Sequence, residues 1–164
     1  LAIRPILRFP DPRLRAVAEP VERFDSELRQ LAADLLETMR AAPGVGITAP
    51  HIGVPLRVVV LELTPGEVRT YANPQILWAS TETSRATEGS VSMPGVTEEV
   101  ERPAKIRVGW RDLDGTAHEA QAEGFLATCH QHEIDQLDGI FWLQRLSRLK
   151  RERVIARYGK LGRG

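Results

Sequence analysis

Residues 131–136 read Gln-His-Glu-Ile-Asp-Gln. In an HExxH helix, two imidazoles one turn apart grip a single metal ion, and the Glu after the first reaches the metal-bound water. Here His132 and Glu133 are present, but Gln136 stands where the second imidazole would be. A neutral amide oxygen is a weak ligand for zinc or ferrous iron. Helical residues three and four apart share a face, so Phe125, Cys129, His132 and Gln136 form one stripe. That stripe offers one imidazole and one amide, with Glu133 beside the imidazole as a carboxylate able to take a proton.

The elements that must position this stripe can be read along the chain. A helix over about 124–137 carries it and stops at Asp138-Gly139. An earlier helix begins at Asp25 or Ser26, with Phe24 placed as a hydrophobic staple. Leu28, Leu31, Leu35 and Met39 recur along it at helical spacing, and it ends before Pro43-Gly44. A third helix begins near Ser147. Residues 57–63, RVVVLEL, read as a central strand because their apolar run is almost unbroken. VRTYANP and QILWAS read as further strand material. Residues 105–123 read as a hairpin turning at Asp112-Leu113-Asp114-Gly115. The Pro-rich stretch 4–20 reads as an irregular arm laid over the domain. In residues 44–53, GVGITAPHIG, three glycines and Pro50 argue against a regular helix. Hairpins without a βαβ rhythm give an α+β fold, in one domain over 1–164.

Composition narrows the function classes. Hydrophobic residues make up 42% of the chain and charged residues 27%, with net charge +0, so no global charge draws it to nucleic acid or an anionic membrane. With one cysteine, Cys129, no intramolecular disulfide and no multi-cysteine zinc site can form. No apolar run reaches membrane-spanning length, and the opening residues lack a secretory-type leader, so the expected location is cytoplasmic. The basic stretch from Arg145 to Lys160 reads as a solvated helix face, with ribosome or RNA binding as the rarer use of such a tail.

Three motifs together carry a family resemblance. GVGITAPH (44–51) is similar to GxGLAAxQ, EGSVS (88–92) to EGCLS, and QHEIDQLDG (131–139) to QHExDHLxG. In this order and spacing they resemble the peptide deformylase family over nearly the whole chain. The resemblance implies antiparallel strands around a central helix that presents His132 and Glu133, with an N-terminal and a C-terminal helix. It implies hydrolysis of the N-terminal formyl group of formyl-methionyl peptides at a divalent metal, iron in many members. Carried over, the metal positions are Ser90, His132 and Gln136, the general base is Glu133, and the oxyanion donors are His51 and the Val91 N–H.

Ser90, Gln136 and His51 depart from that pattern. A serine hydroxyl does not replace a thiolate near neutral pH, so two of three ligands are lost. The expectation is weak or absent turnover, with iron or zinc as the ion if one binds, and none as the simpler outcome. A different class of function is a non-catalytic binder that keeps the cleft for a peptide N-terminus or a small metabolite. A second expectation is a rewired metal site built from His51, His132 and Glu133 or Glu88.

The expected pocket residues are Val45, Gly46, Ile47, Ser90, Phe125, Cys129 and Gln136. Cys129 reads as a small buried hydrophobe rather than a nucleophile. Residues 93–103 read as a loop whose Glu98-Glu99 pair makes the cleft entrance acidic, with Arg102 as the candidate replacement for a rim cation. His118 reads as a surface residue and His130 as packed or solvated. Trp78, Trp110 and Trp142 read as core or core-edge packing.

Overall fold

Alternation along residues 58–61 explains their unbroken apolar run. Val58 and Val60 face one hydrophobic cluster with Leu35 and Met39, while Val59 and Leu61 face another with Tyr71, Cys129 and Leu137. A strand covered on both faces has no polar face to show. The computed structural model describes residues 2–162; Leu1, Arg163 and Gly164 of the expected domain lie outside the described residues.

The strands are β1 (Gly46–Thr48), β2 (Val58–Leu61), β3 (Arg69–Ala79), β4 (Thr83–Ser90), β5 (Met93–Pro103), β6 (Lys105–Arg111) and β7 (Ala117–Glu123). Five form an antiparallel sheet in the order β1-β2-β3-β6-β7, and β4 and β5 form a separate ribbon. Helix α1 (Ser26–Ala41) packs on β1 and β2, and α2 (Gly124–Leu137) contacts all five strands of the larger sheet. Helix α3 (Arg148–Leu161) packs on β5. The fold is therefore α+β, with antiparallel strands around α2.

Local chemistry accounts for the helix starts. The Asp25 carboxylate accepts the Leu28 N–H at 3.2 Å, and Ser147 accepts the Lys150 N–H at 3.3 Å. The N-terminal arm takes a 3-10 turn at Pro12–Arg15 and is then held to the sheet by Asn73. The Asn73 side chain accepts the Val21 N–H at 2.7 Å and donates to the Val21 carbonyl at 3.0 Å.

VRTYANP and QILWAS form one strand, in which a bulge between Ala72 and Gln75 accommodates Pro74 and Asn73 at φ 50. Two expectations are corrected. Residues 93–103 are β5 rather than a loop. Its buried apolar residues, Met93, Val96 and Val100, are spaced three and four apart, so no strand alternation shows in the sequence. Trp142 is core at 2% exposure and Trp110 is half-buried, but Trp78 is 50% exposed and is not packed as expected.

Candidate functional site

The residues in front of α2 enclose a cavity of about 480 Å³. Its walls come from Pro43 to Gly46 at the start of β1, Thr87 to Val91 at the end of β4, Met93 to Thr97 of β5, and one face of α2. Val45, Gly46, Ser90, Val91, Phe125, Cys129, His132, Glu133 and His51 all line it. The sequence stripe thus reaches the cleft through Phe125, Cys129 and His132.

Gln136 breaks the stripe. Its side-chain Nε2 donates to the Leu14 carbonyl at 2.6 Å, which holds the N-terminal arm against α2, and Gln136 is not among the residues lining the cavity. Ile47 is also corrected: it is fully buried in the core cluster beneath α1 and does not reach the cavity. Arg102 is no rim cation. It is 5% exposed and lies between the Glu88 and Asp135 carboxylates. Glu98 and Glu99 lie outside the lining and meet Arg157 and Arg85, so the acidic pair does not coat the entrance. Among the lining residues the Lys/Arg cation is Arg8, from the N-terminal arm.

Glu88 organises the charged floor. Arg102 donates to it through Nε at 2.7 Å and a terminal nitrogen at 2.9 Å, and His132 Nδ1 lies 2.8 Å away. A carboxylate only accepts, so Nδ1 carries the proton in that contact and the His132 ring is fixed in direction. Arg102 continues to Asp135 at 2.8 Å, and Asp135 is clamped by two hydrogen bonds from Arg145. Burial opposes charge on Glu88, but its bonds to Arg102 and His132 hold its pKa below the ordinary carboxylate value. Burial opposes charge on His132 too, and the carboxylates of Glu133 and Glu88 outweigh it and raise its pKa.

Glu133 is almost fully buried, and burial raises its pKa. One oxygen sits against Gly46, where an added Cβ would come within 2.5 Å of it, and the other, Oε1, has no hydrogen-bond partner among the described residues. Burial pushes the Cys129 thiol up, with Glu133 and Glu88 acting the same way, so it is an inert packed thiol.

His51 closes the floor from the other side. A 3-10 turn at Ala49–Ile52 carries it, and Thr48 caps that turn. The Thr48 main-chain N–H donates to His51 Nδ1 at 2.9 Å, and the Thr48 hydroxyl lies 2.9 Å from the same nitrogen. Nδ1 is therefore an acceptor, and the neutral ring carries its proton on Nε2. Burial drives the His51 pKa to about 3, with the charge of His132 in the same direction. The pattern T-x-x-H is a capping box with His in the Glu position, a signal legible at 48–51 but not drawn from the sequence. Sequence reasoning also missed Arg8, which donates to the Val91 carbonyl at 2.5 Å, and Asp135 with Arg145. Ser90 Oγ accepts the Ser92 N–H at 3.1 Å, so Ser90 and Arg8 together fix the turn that presents the Val91 main chain.

Comparison with known proteins places this geometry. Residues 3–152 match the model of the polypeptide deformylase family. The chain belongs to the polypeptide deformylase family. A Bradyrhizobium diazoefficiens protein named peptide deformylase-like is 63% identical over 165 residues, covering 100% of this chain and 97% of the relative. A Brucella melitensis biotype 1 protein of the same name is also 63% identical, covering 99% of this chain and 100% of its own length. The crystal structure of a peptide deformylase from Legionella pneumophila superposes with a TM-score of 0.93 at 41% identity, covering 99% of this chain and 96% of that one.

The family's divalent ion can be tested against these side chains. Of the three expected ligand positions, only His132 offers a strong donor. Ser90 holds a main-chain N–H, and the Gln136 amide is turned to Leu14. The rewired alternative is corrected as well. His51 presents a protonated Nε2 rather than a lone pair, and among the described residues no group of three His, Cys, Asp or Glu could hold a metal ion. The residues present do not fit the ion.

Proposed function

We propose that this chain uses the deformylase cleft to bind a peptide N-terminus, and that hydrolytic removal of a formyl group is weak or lost. The observation that carries this reading is the commitment of Gln136 to the Leu14 carbonyl, which leaves His132 without a partner ligand on its helix. Binding needs less than catalysis does. The cavity keeps apolar walls from Val45, Val91, Met93 and Phe125 to seat a first side chain. Among the described residues strand β1 lies at the edge of its sheet and β4 pairs only with β5, and both flank the cavity, so main-chain edges are available to a ligand strand. Glu133 and His51 remain as polar groups at the closed end.

The test is a pair of measurements on one preparation, incubated in turn with ferrous iron, cobalt, nickel and zinc. A formyl-Met peptide is expected to bind saturably by calorimetry. Formate release is expected to stay more than about 100-fold below that of a family member with Cys and His at positions 90 and 136, since even an outer contact of a metal site is worth about 10- to 100-fold. Brisk release with any of the four ions, or no peptide binding, would overturn the reading.

A further inference from the structure

A separate cavity of about 320 Å³ opens between the N-terminal arm, the 3-10 turn at Trp142–Arg145 and α3, and it shares no lining residue with the cleft. Its walls are apolar and already set. Phe9 and Phe141 stack with ring centroids 5.6 Å apart and planes 11° from parallel. Leu14 is held from behind by the Gln136 bond to its carbonyl. A pre-formed apolar concavity with a few polar groups is the usual form of a small-molecule site. The free charge on this one has a single sign. Asp11 is spent on Arg13, whose main-chain N–H it accepts at 2.9 Å and whose guanidinium it accepts at 2.8 and 3.1 Å. Arg15 and Arg151 also line the cavity, and neither guanidinium has an ion-pair or hydrogen-bond partner among the described residues. Ile155 lies one turn beyond Arg151 on α3, so apolar surface adjoins the cation.

We propose that this cavity binds a small amphipathic carboxylate, its apolar body against Phe9, Phe141 and Ile155 and its carboxylate on Arg15 and Arg151. The planar guanidinium fork matches the two oxygens of a carboxylate, and hydrogen bonds between charged partners are the stronger kind. A cationic ligand would be repelled by both arginines. A neutral apolar ligand would leave both charges unmatched. A bare inorganic anion would make no use of the apolar walls. The site is independent of the cleft-binding reading and stands or falls without it.

The test titrates the full chain, nitrogen-15 labelled and at constant ionic strength, with 3-phenylpropanoate and with its neutral isostere 3-phenylpropanamide. The carboxylate is expected to give saturable amide shifts in residues 9–15, 141–144 and 151–155, and to bind at least about 10-fold tighter than the amide, the worth of one hydrogen bond to a charged group. Arg15→Gln and Arg151→Gln are each expected to weaken the carboxylate by about 10-fold, and the double variant to bind both compounds alike. Arg15 is exposed and Arg151 half-buried, so these variants are expected to keep the wild-type melting temperature. Arg148→Gln is the control for general positive charge. Its side chain is 88% exposed on the same helix, pairs with Glu152 and does not line the cavity, so binding is expected to be unchanged. Equal affinity for the two compounds, shifts confined to the cleft, no saturable shifts, or an Arg148→Gln loss as large as that of Arg151→Gln overturns the assignment.

Discussion

The Gln136 side-chain amide donates to the Leu14 carbonyl at 2.6 Å across 122 residues of chain, and this bond turns a metal-ligand position into a clasp for the N-terminal arm. Both ends are buried, Leu14 at 2% and Gln136 at 3%. Removing the donor leaves a buried carbonyl unsatisfied. Gln136→Leu is therefore expected to lower stability by about 1–3 kcal/mol in urea unfolding. A change within about 0.5 kcal/mol would show that the clasp contributes nothing to folding.

The buried chain Glu88–Arg102–Asp135, which reaches the exposed Arg145, makes a second prediction. Arg102 satisfies two carboxylates at once, and both are more than nine-tenths buried. Arg102→Met leaves Glu88 and Asp135 facing each other without it, and breaking one side of such a pair costs about 3–5 kcal/mol. The pH dependence has a definite sign. The folded pKa of Glu88 lies below its ordinary value of 4.5, so its contribution is present above pH 4.5 and is lost as pH falls through the folded value. Thermal melts from pH 7 to 3 should show Arg102→Met losing stability mainly at the neutral end, so that the two proteins converge in acid.

What the sequence disclosed and what it hid follow from the range of the interactions. Helices with caps and apolar spacing, such as Asp25 with Leu28, Leu35 and Met39, are local and were legible. The placement of His132 and Glu133 on α2 followed from helical spacing alone. Ile47 was misplaced because an apolar residue beside glycines looks the same whether it faces the cleft or α1. Arg102 was misplaced because its partners, Glu88 and Asp135, are 14 and 33 residues away. Strand β5 was hidden because positive-φ Gly95 and the register shift near Ser90 break its alternation. The metal question turned on Gln136 and Leu14, a pairing no local rule could foresee.

His130 gives a pH effect separate from the cleft. Its ring packs edge-on against Tyr71 at 4.7 Å, and burial, with the Arg69 charge second, lowers its pKa from 6.5 to about 4. The unfolded chain therefore binds a proton here that the folded chain refuses between pH 6.5 and 4. Stability falls as pH drops through that window, by up to about 1.4 kcal/mol per pH unit for one such proton. His130→Phe keeps the ring packing and removes the titration. Its unfolding free energy is expected to decline less steeply than wild type between pH 6.5 and 4. Parallel profiles would show that His130 is protonated in the folded state.

The last prediction inverts the ligand argument. If positions 51, 90 and 136 are what separates this cleft from a metal site, then the triple variant His51→Gln, Ser90→Cys, Gln136→His should regain one. Glu88 already orients His132 through Nδ1, the outer support a ligating imidazole needs. Glu133 already sits beside it, against Gly46. The substitutions at positions 90 and 136 supply the thiolate and imidazole that iron and zinc favour. Elemental analysis of protein purified without chelator is expected to rise to about one ion per chain, and formate release from formyl-Met-Ala-Ser to rise at least about 100-fold over wild type. Stability should drop by the lost Gln136 clasp, which separates this gain from any general tightening of the fold. A folded triple variant with no bound ion would mean that the backbone around α2 and β4 has itself moved away from metal-binding geometry.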